Sequence, residues 1–187
     1  MITNDIINAV TTWTNWANTS DNNRYDIALL KIWIQFERFV SELFVCYATG
    51  GQSEDGYKPN LKLCFVDESQ LNAFLREGNR TYIEYLMQIK KLSKHIFEND
   101  PFDIIFLDTV IHNAYNQIIS IRNYIVHESG EAKSKMIKTC FGGREDHFKE
   151  PNDYLLTIER STNKTYYTYY VEIIKNASKL LVNPPAD

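Results

Sequence analysis

The run DPFDIIFLDTVIHNAYNQIISIRNYIVHESG, residues 100–130, decides the fold class. Asp100 can cap a helix, Pro101 suits the first helical position, and Asp103 places a carboxylate near the positive end of the helix dipole. Ile104, Leu107, Ile111, Ala114, Ile118, Ile121 and Ile125 then recur three and four residues apart without interruption. That spacing predicts one long helix with a bundle seam. Gly130 is the expected residue just past its end, where a left-handed backbone favours glycine.

The flanking sequence supports a helical bundle around this element. Residues 4–17 read as a short helix, with Ile6, Ile7, Val10 and Trp13 near helical spacing. A long central helix is expected over about 22–48, with Ile27, Leu30, Ile34, Val40, Phe44 and Tyr47 on one side, widened by Trp33, Phe36 and Leu43. Gly50-Gly51 ends it. Leu61 to Val66 alternates briefly, as a short strand would. Asp67-Glu68-Ser69-Gln70 and Thr81-Tyr82-Ile83-Glu84 each have capping-box spacing and open two further helices, separated by Gly78-Asn79. Residues 131–168 read as a loop and β accessory: a polar stretch, a strand near 154–160 and a turn at Ser161 to Lys164. A last helix covers about 169–182 and stops at Asn183-Pro184-Pro185. The whole, residues 1–187, is expected to be a single all-α domain of about five helices with a small β-hairpin accessory.

Composition narrows the function classes. The net charge is -4, so nucleic acid can be held only by a local basic patch, not by the bulk field. The three cysteines, Cys46, Cys64 and Cys140, are far apart and form no Cys-x-x-Cys pair, so neither a disulfide framework nor a zinc site is expected. The first residues lack a signal peptide's basic start and apolar core, and no apolar run is long enough to span a bilayer. A cytoplasmic protein with reduced thiols is expected, with no membrane partner.

The chemistry-bearing residues lie at the end of the long helix. Arg122, Asn123 and His127 fall within two turns and can respectively grip a phosphate, donate hydrogen bonds and move a proton. On an ideal helix Arg122 and His127 point about 140° apart, whereas Asn123 shares the His127 face with Asn116 and His112. A shared site therefore needs arginine's long reach, a distorted last turn, or a second copy across a two-fold axis. A purely structural reading competes: a seam-edge arginine can snorkel, and a histidine in a last turn is favoured by the helix dipole.

Arg122-Asn123-Tyr124-Ile125-Val126-His127 resembles the Arg-(four to six residues)-His signature of HEPN domains, with that family's frequent polar residue after the arginine. The specific part of the resemblance covers six to nine residues. The long early helix and the motif at the end of a later one also agree with it; the segment 153–160 does not belong to the minimal bundle. The resemblance implies a small helical bundle and, for many members, a metal-independent endoribonuclease active in defence or toxin–antitoxin systems. It implies that His127 acts as general base or acid, that Arg122 holds the scissile phosphate, and that Asn123 orients the histidine or donates to a phosphate oxygen. It also implies a homodimer with the motif at the cleft, an RNA substrate, a partner such as an antitoxin, and no cofactor or metal. The alternative is a non-catalytic module of the same shape that binds RNA, nucleotide or a partner protein.

Around the motif, Lys133, Lys135 and Lys138, with Arg144 and Lys149, are candidate substrate-binding residues. Lys90, Lys91, Lys94 and His95 form a second basic cluster, and Tyr166, Tyr167, Tyr169 and Tyr170 can stack on bases. A solvated face and core packing are the commoner uses of such residues. Glu128 can tune His127 or simply face solvent, and His147 has no evident partner.

Overall fold

The structure, a computed structural model, describes residues 3–19, 24–76 and 85–185. The expected break at Gly78-Asn79 and the capping box Thr81 to Glu84 lie outside the described residues. Among those described, nine α-helices and one two-stranded sheet make an all-α fold with a small β-hairpin. No helix there is long and apolar enough to cross a membrane.

The organising element is α2, Tyr25–Ala48. It packs against α1 (Thr3–Thr19), α3 (Glu68–Leu75), α4 (Tyr85–Ile96), α6 (Thr109–His127), α8 (Pro151–Leu155) and α9 (Tyr166–Val182). Ala28, Leu29, Ile32, Trp33, Phe36, Phe39, Val40, Leu43, Phe44 and Tyr47 are all buried. A helix apolar around most of its circumference can be stable only inside a ring of others. The expected stripe is rotated from the real one, because Ile34 is 47% exposed and Ile27 and Leu30 are only half-buried. Asn152 supplies the N-cap that Arg24 lacks, its Oδ1 accepting from the Tyr25 amide at 2.8 Å and the Asp26 amide at 3.4 Å. Gly51 follows the helix where a Cβ would meet the Cys46 carbonyl at 2.8 Å, so no larger residue fits without movement.

The decisive run folds as two helices rather than one. The helix α5 spans Asp103–Phe106, and α6 restarts after Asp108, whose carboxylate accepts from the Ile111 amide at 2.8 Å. Leu107, a member of the predicted seam, lies at this break and is 71% exposed. The heptad spacing hid an aspartate-threonine capping sequence inside the seam. Ile111, Ala114, Ile118 and Ile121 are buried as expected.

The end of α6 also differs from expectation. Glu128, not Gly130, takes the left-handed backbone, at φ 46°. Ser129 caps a new helix, α7 (Gly130–Cys140), by accepting from the Ala132 amide. Ala132, Met136 and Ile137 bury its inner face against α6. The stretch after 130 is therefore largely helical, not a loop. The strand expected at 154–160 is cut to Ile158–Glu159, because Tyr154 and Leu155 are buried as the end of α8, which starts on Pro151. The strands β1 (Ile158–Glu159) and β2 (Lys164–Thr165) pair antiparallel, Ile158 opposite Thr165, around the expected turn. The segment Leu61 to Val66 contributes a single bridge, Leu61 to Phe97, not a strand.

Candidate functional site

Arg122 sits on the fourth turn of α6, half-buried, and Nη1 donates to Asn123 Oδ1 at 2.9 Å. Its Nε is buried and meets no acceptor. Asn123 is therefore turned towards the arginine, not towards the histidine it was expected to orient. His127 is the last residue of the helix, and its imidazole is exposed, with no hydrogen bond or ion pair among the described residues. The helix does not bend there. The Glu128 amide donates to the Tyr124 carbonyl at 2.9 Å, a regular α-helical bond. The last turn keeps its α-helical hydrogen bond and does not swing His127 round to Arg122.

A residue not singled out in the sequence feels the charge of Arg122. Glu37 lies on α2 one turn after Trp33, and its carboxyl is half-buried. Burial pushes its pKa up, while the Trp33 indole and the Arg122 guanidinium both oppose that shift. Neither reaches full hydrogen-bonding geometry, because Trp33 Nε1 and Arg122 Nε are buried and unpartnered. Tyr115 completes this group. Its ring contacts Trp33 at 5.6 Å, and burial, reinforced by Glu37, pushes its phenol up to about 12. Glu37 was not legible because the seam pattern of α2 says nothing about which helix lies beside it.

The other candidates divide. His112 stacks on Tyr115, rings 6.2 Å apart and 13° from parallel, with Nδ1 buried and unpartnered. Lys133 lies over the Phe148 ring at 4.4 Å, a cation–π contact. Lys135 pairs with Glu131 at 2.8 Å on the surface, and Lys138 is exposed on that side. On α7 the Lys133 side lies about 160° from the Lys135 side, so the three lysines do not form one rim. Lys90 lies over the Phe106 ring at 5.8 Å with Lys94 exposed one turn on, and His95 is exposed about 140° round α4. The tyrosines belong to the interior. Tyr167 and Tyr170 are buried, Tyr166 stacks on Tyr154 at 4.5 Å, and Tyr170 Oη donates to Gln117 Oε1 at 3.1 Å. His147 Nε2 lies 3.5 Å from Asp146 Oδ2.

Beyond the last turn of α6 lies an open groove of about 550 Å³, lined by Arg24, Asp26, Tyr124, Glu128, Glu150 and Asn152 among others. Arg24 grips Asp26 there through Nε and Nη2, at 2.9 and 2.8 Å. No set of three His, Cys, Asp or Glu side chains is placed to hold a metal ion among the described residues. The cysteines are free thiols. Comparison with protein-family models, with curated proteins and with solved structures finds no match to this chain.

Proposed function

We propose that this protein is a metal-independent endoribonuclease of the HEPN type, acting in the cytoplasm as a toxin or phage-defence effector. One observation carries the reading most. The end of α6 presents a half-buried arginine whose Nε has no acceptor and, one and a half turns on, an exposed unpaired imidazole. No ion pair engages that guanidinium among the described residues and Asn123 holds only Nη1, so its outer edge can receive a phosphate.

RNA carries its own nucleophile. A base takes the 2′-OH proton, O2′ bonds to phosphorus, and the bond from phosphorus to O5′ breaks as an acid protonates the departing oxygen. The products are a 2′,3′-cyclic phosphate and a 5′-hydroxyl. Arg122 neutralises the charge on the phosphoryl oxygens, and Asn123 fixes the arginine's direction. Because Arg122 and His127 face apart on a straight helix, a two-fold dimer supplies the second motif. Its two imidazoles can then divide the base and acid roles. The exposed Ile34 and Val126, on the two helices that carry Glu37 and Arg122, offer apolar surface for that contact.

The test is cleavage of RNA in EDTA by wild-type protein and by the Arg122→Ala and His127→Ala variants, with analysis of the 3′ ends. Wild type should leave cyclic phosphate ends, and each variant should lose about 100-fold or more in rate. Cleavage by His127→Ala at the wild-type rate, or none by wild type on any RNA, sinks the reading. RNA or partner binding without cleavage would instead support the non-catalytic module, which the separation of Arg122 from His127 within one chain favours. In cells, expression should arrest growth, and either substitution or a cognate antitoxin should relieve it.

A further inference from the structure

Among the described residues three buried polar side-chain atoms have no partner, Trp33 Nε1, His112 Nδ1 and Arg122 Nε, and they belong to α2 and α6. Two of them, Trp33 Nε1 and Arg122 Nε, belong to groups that act on one half-buried carboxylate, Glu37. The approach follows from backbone direction. The beginning of α2 lies beside the end of α6, since Ile27 and Ile125 line one groove, so the helices run antiparallel. Helical side chains lean towards their own N-termini. Arg122 therefore leans back along α6 towards Tyr115, and Glu37 leans back along α2 towards Trp33. The two side chains converge from opposite ends of the same seam, between the Trp33 and Tyr115 rings.

We propose that Glu37 is the positioning residue for Arg122, its carboxylate accepting from Trp33 Nε1 and Arg122 Nε so that the outer edge of the guanidinium is held towards a phosphate. Nη1 is already fixed by Asn123, so Glu37 on the Nε side leaves Nη2 to the ligand. Both donors stop short of Glu37 in the free chain. Such contacts commonly tighten when a ligand or a second subunit excludes water. The inference rests on Arg122 as the phosphate-gripping residue. The groups acting on Glu37 among the described residues are Arg122 and Tyr115 from α6 and Trp33 from its own helix. His112 lies behind Tyr115.

The test reads Arg122 directly. In ¹⁵N NMR of the arginine side chains, with the Arg122 Nε resonance assigned by its loss in Arg122→Lys, that resonance should move as pH falls from about 7 to about 4. It should not move in Glu37→Gln. A His112→Asn control should leave the titration in place. In the cleavage assay Glu37→Gln should lower kcat by about 10- to 100-fold with little change in KM, and Glu37→Asp should recover part of it. An Arg122 Nε resonance that ignores both pH and Glu37→Gln overturns the proposal. So does an active wild type whose kcat is unchanged by Glu37→Gln. A wild type that cleaves nothing removes the ribonuclease reading alone, because the resonance still reports whether Glu37 holds Arg122.

Discussion

At the scale of single residues, the protein spends its polar side chains on closing helix ends and on orienting one arginine. Asp67, Asp108, Ser129 and Thr165 each accept from a backbone amide in the first turn of the helix they open. These caps follow from local chemistry, since a short side-chain oxygen satisfies an amide that the helix cannot. Asn152 does the same for α2 from 127 residues away. Asn152→Ala should therefore destabilise the protein by about 1 kcal/mol, read as a lower urea midpoint with unchanged slope. Asn152→Asp, which keeps the acceptor, should be close to wild type. A neutral Asn152→Ala would mean that Arg24 and Asp26 close this end alone. The local caps were legible because donor and acceptor are neighbours in sequence. The cap from Asn152 and the approach of Glu37 to Arg122 were not, because each depends on which segments the fold brings together.

Among the elements, the departures from expectation share a cause. A pattern of apolar residues three and four apart records which face is inward, but not whether the backbone is continuous. The α5–α6 break falls where Leu107 and Asp108 offer an exposed position and a cap, although the seam runs through it. In α7 three apolar positions sufficed to hold a helix once α6 provided a surface, so a polar stretch that looks like loop in isolation folds as helix. The hairpin was readable from its turn, and its chemistry is local. Glu159 accepts from the hydroxyl and amide of Ser161 and from those of Thr162, which draws its pKa down from 4.5 to about 2. A carboxyl whose folded pKa is depressed contributes stability that is fully present above its unfolded pKa and is lost as pH falls through the folded one. Protection of the Ser161 and Thr162 amides from exchange, relative to the intrinsic rate at each pH, should thus be high above about pH 4.5 and fall towards about pH 2, and Glu159→Gln should remove most of that dependence. Because Glu159 is bonded only within its own hairpin turn, the effect on global stability is small.

At the scale of the whole molecule, the proposed chemistry requires more than one chain. One straight helix holds Arg122 by the seam and His127 in solvent, and in the proposed mechanism a partner subunit supplies the second imidazole. The wild-type chain should therefore run as a dimer in light scattering. Ile34→Asp and Val126→Asp, at positions 47% and 50% exposed, should produce monomers with unchanged helicity and little loss of thermal stability. They should also lose RNA cleavage. A wild type that stays monomeric at high concentration, or aspartate variants that remain dimeric and active, would exclude this contact surface.

The sequence by itself determined the all-α class, the burial of most of the α6 seam, the hairpin turn, and the placing of Arg122, Asn123 and His127 on one helix end. Periodicity, caps and turn residues act between near neighbours, so the order of residues carries them. The tertiary structure alone decided which face of α2 is core, where the long seam breaks, and that 130–140 is helical. It also decided that Asn152 closes α2 and that Glu37 comes within electrostatic reach of Arg122. Those outcomes depend on contacts between distant segments, whose free energies come from packing and desolvation, and no local pattern encodes which surfaces will meet.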